Sequence, residues 1–517
     1  MITPLFASYA EIHYHLPLLY PAYFRRYPEI ITDVSTRVIR PTTAGIPVAL
    51  IIKDAHRYPC TVVSLLVRIS GSEQQRTKLF DLNISLSQPY FAKCFFLPHG
   101  SFAAEQYLHI ETEIVVRIKN RTRRFKQDSY PGLRTPFYST YLTDSPLPFP
   151  PTWFAGDPHY HSIFTQDQVE FGADLVTTRI MAQALGLSWY FVTDHSYDLD
   201  DCIDSYTKND PALPLWHRMQ EAVGHADNAA VRIIPGEEVS IGNCKEHNVH
   251  LLAIQHQDFL PGMGDSAEEW GKNTPTTPLR DIATKHHPTN LFIAAHPAEP
   301  APLAQKLLLK RDHWHEQDFI DGAITHGQFI NCNETPDVLR GIKAWTALLL
   351  KGHHIFLMAG NDAHGNFNFM RQIKLPFLTL FVAKKQTFGA VFTVFQHQSN
   401  DPVAGLKGGK IIVSNGPFIT FELRTDHGIY PMGSTVSASV ATVHYQAASM
   451  AEKGEISEIV LHVGNVETGI ENATPAPPDG SSIQLPPEGY LRMALYTQKK
   501  GLAFTNPIWI KAKSTKI

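Results

Sequence analysis

The sequence predicts an α/β barrel carried between two β-sandwich-like domains, and three observations lead there. From Trp153 to about residue 415, short apolar runs alternate with stretches of helical periodicity, the pattern of strands laid side by side under helices. On either side of that region the apolar runs are β-branched and separated by Pro, Gly and polar clusters, which fits antiparallel sandwiches. Within the central region, histidines and carboxylates fall mostly just after the apolar runs. In a barrel those strand ends share one face, where groups distant in sequence converge.

A chain of 517 residues is too long for one hydrophobic core, so two to four domains are expected. Its net charge of −4 is too small to argue for a polyanionic partner, and no nucleic-acid partner is evident. The first residues lack a basic segment followed by an apolar run, and no later stretch offers the apolar length of a membrane span. A cytoplasmic location without membrane contact is the expectation. Cys60, Cys94, Cys202, Cys244 and Cys332 are odd in number and lack Cys-x-x-Cys spacing, whereas histidines number 26. A metal site here is therefore expected from nitrogen and oxygen donors.

Residues 1–150 form the expected N-terminal β-rich domain, with strands over 48–52, 61–69 and 110–118. The basic run Arg117, Lys119, Arg121, Arg123, Arg124 and Lys126 has no interleaved aromatics for base stacking and reads as a solvated strand end and loop. Prolines crowd residues 144–152 too densely for a helix or central strand, which marks a linker. The barrel is expected over 151–415. Its elements are a helix over 174–185 with Leu175, Val176, Ile180 and Ala184 on one side, ended by Gly186, then a buried strand over 187–192 running into Thr193-Asp194-His195. A helix near 215–223 follows, then strands over 231–234 and 249–254, one over 291–295 ending in His296-Pro297, and two over 328–331 and 354–359. Such alternation implies a parallel sheet, and about seven strands make a closed or nearly closed barrel the leading architecture. Residues 416–517 return to β, with strands over 418–423, 441–445 and 459–463, as a second sandwich-like domain.

The chemistry-bearing stretch is Asp157-Pro-His-Tyr-His-Ser162. At a strand end, side chains two residues apart project to the same face, so His159 and His161 would converge as two imidazoles on one point. With Asp167, His195, Glu238, His250, His296, Asp362 and His364 they form nine nitrogen and oxygen donors, too many for one ion but suited to two or three divalent metals bridged by a carboxylate. Glu237 competes with Glu238 for the bridging role. Asp194, beside His195, is expected to orient a ligand rather than bind metal.

Taken in order, Asp157-Pro-His-Tyr-His-Ser162, Thr193-Asp-His195, Pro235-Gly-Glu-Glu238, Ala295-His-Pro297 and Asn361-Asp-Ala-His364 resemble the successive motifs of the polymerase-and-histidinol-phosphatase (PHP) family of metal-dependent phosphoesterases, over roughly residues 153–415. Pro158 stands where that family usually has an aliphatic residue; it removes a backbone donor, not a ligand. The resemblance implies a distorted (β/α)7 TIM-like barrel and a trinuclear cluster of zinc, manganese or iron. It implies that His159, His161, Asp362 and a bridging Glu238 hold the first ion, that Glu238, His250 and His296 hold the second, and that Asp167, His195 and His364 hold the third. It also favours Glu238 over Glu237.

The activity expected is phosphoester hydrolysis of a small-molecule substrate by a metal-bridged hydroxide, with Glu238, Asp362 and Arg371 as the catalytic set. Arg371, just beyond the Asp362-Ala-His364 stretch, would clamp a phosphate oxygen; the alternative is a solvent-facing loop arginine. Two other readings are hydrolysis of a carboxyl ester or carbamate on the same site, and a non-catalytic interaction protein stabilised by metal.

Overall fold

The computed structural model describes residues 27–511 apart from 101, 131–135, 166–171, 204, 263, 267–271, 302, 373–380 and 384. Asp167 lies outside the described residues. The N-terminal part is two stacked antiparallel layers. One pairs Glu29–Val34, Ile46–Lys53 and Tyr90–Leu97, and the other is built around the long strands Cys60–Ser70, Gln75–Leu86 and Gln106–Ile118. The β-branched residues alternate inward, so that Val48, Leu50 and Ile52 of one layer meet Val62, Leu65, Val67, Ile114 and Val116 of the other in one core. The basic run closes as a hairpin, with Arg121–Lys126 paired to the end of Gln106–Ile118 and Arg124 bonded to Glu113 at 2.9 Å. Its arginines are exposed.

Seven strands organise the centre: β1 (Trp153–Asp157), β2 (Trp189–Val192), β3 (Arg232–Gly242), β4 (Asn248–Ile254), β5 (Leu291–Ala294), β6 (His326–Ile330) and β7 (Phe356–Ala359). They lie in that order, each hydrogen-bonded to the next. Beyond β1 and β7 the short extensions Tyr160–His161 and Ala363–His364 pair in parallel, and Asp362 N donates to His159 O at 3.0 Å. The first and last strands are thus tied together at their C-terminal ends.

The direction of one strand departs from the expected parallel sheet. β4 runs antiparallel to both β3 and β5, because only residues 243–247 separate β3 from β4. That is hairpin length, far short of the dozen or more residues a parallel crossover needs. β3 is also longer than its apolar core suggests: it continues through Pro235-Gly-Glu-Glu238 to Gly242, so Glu238 sits within a strand rather than after one.

The covering helices include α1 (Leu175–Leu185), α2 (Pro214–Ala226) and α3 (Thr335–Leu349). α1 begins where the Asp174 carboxylate accepts from the backbone N–H of Val176 and Thr177, and ends at Gly186 with φ 85°, a left-handed position that glycine adopts without steric cost. Its buried face is Leu175, Thr178, Met181, Ala182 and Leu185. Val176, expected on that face, is exposed, because the stripe follows steps of three and four residues from Leu175 rather than from its neighbour.

The sheet does not stop at these seven strands. Phe392–Gln396 pairs antiparallel with β1 and then with Ile411–Ser414, and the ladder passes on through Leu502–Thr505, Gly489–Thr497 and Ile456–Asn465. A second layer of Phe418–Thr425, Val440–Ala448 and their neighbours packs across it, with Phe418, Phe421, Leu423 and Val443 against Leu461, Met493 and Leu495. The C-terminal strands therefore belong to the same hydrogen-bonded sheet as the seven central strands. The N-terminal layers are joined to the segment beyond His364 by a buried ion pair, Arg371 with Asp33 at 3.1 Å, and by a bond from Arg371 to Thr32 O at 3.2 Å. No helix among the described residues is long and apolar enough to cross a membrane.

Candidate metal centre

The turn after β1 is set by Asp157. Its buried carboxylate accepts from the backbone N–H of His159, Asn361 and Gly389, each at 3.2 Å, and from the Asn361 side chain at 2.6 Å. This draws the ends of β1 and β7 together and sends His159 and His161 to one side, as their two-residue spacing requires. Their Nε2 atoms lie 3.0 Å apart. Asp362 Oδ1 stands 3.3 Å from His159 Nε2 and 3.1 Å from His161 Nε2. Asp362 and His296 hold φ of 50° and 30°, sparsely populated values for residues other than glycine that tend to be retained where a site requires them.

Glu238 lies between two sets of donors. Its Oε2 is 3.3 Å from His159 Nε2, 3.2 Å from His161 Nε2 and 3.2 Å from His195 Nδ1. Its Oε1 is 2.8 Å from His250 Nδ1 and 3.0 Å from His296 Nε2. The donors gather into three overlapping buried groups: His159, His161, Glu238 and Asp362; Glu238, His250 and His296; and His161, His195 and His364. Separations of this size match the edge of a coordination tetrahedron with bonds of 2.0–2.1 Å, which is about 3.3 Å. The donor set therefore fits divalent ions, with Glu238 common to two groups. Of the nine expected ligands, eight meet here, and His161 occupies the third group alongside His195 and His364.

Glu237, the competing carboxylate, faces the opposite side of β3 and accepts from Leu260 N at 3.0 Å. Burial raises its pKa well above the usual carboxylate range. Glu238 is held well below that range: burial opposes the charge, but His250, His159 and His161 outweigh it. The same balance acts on the imidazoles before a metal binds. Burial disfavours their charged form, but Asp362 and Glu238 prevail and lift His159 and His161 to about 9.

A surrounding layer orients the rings. His159 Nδ1 donates to Gln328 Oε1 at 2.7 Å, leaving Nε2 to face the cluster. His161 Nδ1 lies 3.2 Å from Thr165 Oγ1, whose own hydroxyl donates to Asp194 at 2.7 Å. Asp194 also accepts from Ser162 N and Ser162 Oγ, both at 2.7 Å; it fixes the ligand loop, in keeping with an orienting role. His250 Nε2 lies 2.9 Å from Asp265 Oδ2, and Asp265 in turn takes the Ser240 hydroxyl, a carboxylate–histidine pair of the kind that sets a metal-facing tautomer. Asp362 Oδ2 accepts from Asn331 at 3.4 Å and Gln386 at 3.2 Å.

Arg371 is a correction. It neither clamps an anion at this centre nor faces solvent. It is buried, and its guanidinium is spent on Asp33, Thr32 O and the Tyr138 hydroxyl. A different arginine reaches the centre: Arg311 Nη2 lies 3.3 Å from His250 Nδ1. Arg311 and Asp265 carry no local pattern in the sequence. Arg311 is bridged to Asn248 at the start of β4, a placement that only the fold reveals.

No family model and no curated protein sequence matches the chain. Among solved structures, it is similar to a two-domain protein from Bacteroides vulgatus ATCC 8482 containing a predicted PHP-like metal-dependent phosphoesterase, at 11% identity and a TM-score of 0.29 over 70% of this chain and 98% of that one. It is also similar to a β-glucuronidase from Parabacteroides merdae, at 8% identity and a TM-score of 0.18 over 94% of this chain and 64% of that one. A cycloisomaltooligosaccharide glucanotransferase from Paenibacillus sp. matches at 11% identity and a TM-score of 0.17, over 93% of this chain and 71% of that one. Likenesses this loose carry no argument, and the reading of the centre rests on its own donors.

Proposed function

We propose that the chain is a metal-dependent hydrolase of the PHP type, acting on a phosphate ester of a small molecule, with the seven central strands as its distorted β/α barrel. The observation that carries this reading is the division of Glu238, one oxygen toward His250 and His296 and the other toward His159, His161 and His195. A carboxylate shared in this way suits two or more divalent ions, and a mononuclear structural site has no use for it.

His159, His161, Asp362 and Glu238 would hold one ion, Glu238, His250 and His296 a second, and His161, His195 and His364 would furnish donors for a third. Divalent ions there would supply Lewis acidity toward a phosphoryl oxygen and would acidify a coordinated water. The chain supplies the rest. Gln328, Thr165 and Asp265 hold the imidazoles in the tautomers that turn a lone pair inward, and the burial of every described ligand keeps the charges in a medium where they act strongly. Arg311, half-buried beside His250, takes the place expected for Arg371 as the cation that binds a substrate oxygen.

Reconstitution with Zn²⁺ or Mn²⁺, followed by assay against phosphomonoesters, phosphodiesters and carboxyl esters, tests the proposal. Turnover of a phosphate ester that disappears with chelation supports it. Turnover confined to carboxyl esters, or none with any metal, overturns it.

A further inference from the structure

A second group of donors lies outside the buried centre, around Asp312. Its Oδ1 is 2.8 Å from His313 Nδ1, and its Oδ2 is 3.2 Å from His247 Nδ1 and 3.3 Å from His315 Nε2. Asp312, His313 and His315 bring donor atoms within 4.8 Å of one another, and the rings of His313 and His315 lie 4.3 Å apart. His247 joins them from the far end of the β3–β4 hairpin, because Asp312 N donates to Asn248 O at 2.9 Å and so runs the 310–312 segment beside the first residue of β4.

We infer that Asp312, His313 and His315 form a separate mononuclear site for a transition-metal dication of the zinc or nickel kind, with His247 set against the same carboxylate. Two imidazoles and one carboxylate supply three positions of a tetrahedral shell and leave the fourth to solvent, and imidazole-rich sets select such ions over calcium or magnesium. The Asp312 distances of 2.8 Å to His313 and 3.3 Å to His315 are close to the roughly 3.3 Å edge of that shell. His247 and His313 are 44% and 48% exposed, whereas the Asp312 side chain is 9% exposed. The anchoring carboxylate is thus sheltered while the entry side is open, so the ion exchanges with solvent more readily than ions of the buried centre.

The place in the fold gives the site its consequence. Arg311 immediately precedes Asp312, and Trp314, between the two histidines, donates its indole N–H to His250 O at 3.2 Å. An ion at Asp312 clamps the 312–315 turn and so steadies Arg311 and the backbone behind His250. The site acts on the buried centre by positioning and contributes no ligand to it.

Equilibrium dialysis of the full chain against buffered free Zn²⁺, with elemental analysis, tests this independently of any activity. The His313→Ala/His315→Ala variant should bind one equivalent fewer than the unaltered protein at every zinc level that saturates both, and its circular dichroism should be unchanged. The single His313→Ala variant, at an exposed position, should weaken that same equivalent at least tenfold; it serves as the test if the double variant misfolds. Identical stoichiometry and affinity in the unaltered protein and either folded variant overturn the inference. Because the comparison is a difference of one equivalent, it holds whether the buried centre takes three ions or none.

Discussion

Replacing Glu238 by Gln removes one negative charge without changing the size of the side chain. In the folded protein that charge faces five imidazole nitrogens at 2.8–3.3 Å, in a fully buried setting. Breaking a buried charge pair on one side costs about 3–5 kcal/mol. At about 1.4 kcal/mol per decade, metal affinity should fall by roughly two to four orders of magnitude, and turnover with it. The fold should survive, since β3 is held by backbone bonds to β2 and β4 and by apolar neighbours. Glu237→Gln is the control. Glu237 faces Leu260 N on the other side of β3 and belongs to none of the donor groups, so an amide there should leave metal content and turnover within about twofold. Metal content by elemental analysis, turnover and circular dichroism measured on both variants decide the matter. Equal losses, or a larger loss at Glu237, would refute the assignment of the bridging carboxylate.

Metal binding should release protons. His159 and His161 stand at about 9 before metal binds, above the ordinary 6.5, so at pH 7 both carry protons that an ion must displace. Zinc affinity should therefore drop by up to about 100-fold per pH unit below 9, and calorimetry in buffers of different ionisation enthalpy should count about two protons released; a pH-independent affinity contradicts this. Arg311→Met should reduce kcat/KM for the phosphate ester about 10- to 150-fold, the worth of about 1.5–3 kcal/mol for a hydrogen bond to a charged group, with the metal content of the buried centre intact in elemental analysis. Asp265→Asn, which weakens the hold on His250, should lower metal affinity about 10- to 100-fold in competition with a chelator. Arg371→Met should cost about 3–5 kcal/mol in urea unfolding, because it strands Asp33 in the interior, while the folded fraction keeps its turnover; loss of turnover without loss of stability would return Arg371 to the active centre.

The candidate donors were legible where the pattern is local: His159 and His161 are two residues apart, as the strand period requires for a common side, and His195, His296 and His364 follow apolar runs. Long-range pairing was not legible. Nothing around Arg371 in the sequence shows that its partner is Asp33, 338 residues earlier, so an arginine close to Asp362 and His364 reads as a phosphate clamp when it is a bond between layers. The reversed direction of β4 was hidden for a related reason: an apolar run has the same composition whichever way it points, and only the short 243–247 link betrays a hairpin. Asp265 and Arg311 escaped notice because each is brought to His250 by loop geometry, with no periodic pattern of its own. The helix over Leu175–Leu185 was legible to within a residue, since Asp174 and Gly186 are local caps whose effect does not depend on distant contacts.

The central claim, that Glu238 joins two ions, is tested most directly by anomalous X-ray scattering at the metal absorption edge from crystals of the reconstituted protein. The account predicts at least two peaks flanking the Glu238 carboxylate, about 3.5–4 Å apart, one among His159, His161 and Asp362 and the other between His250 and His296. A single peak, or peaks that leave either Glu238 oxygen without an ion, would contradict it.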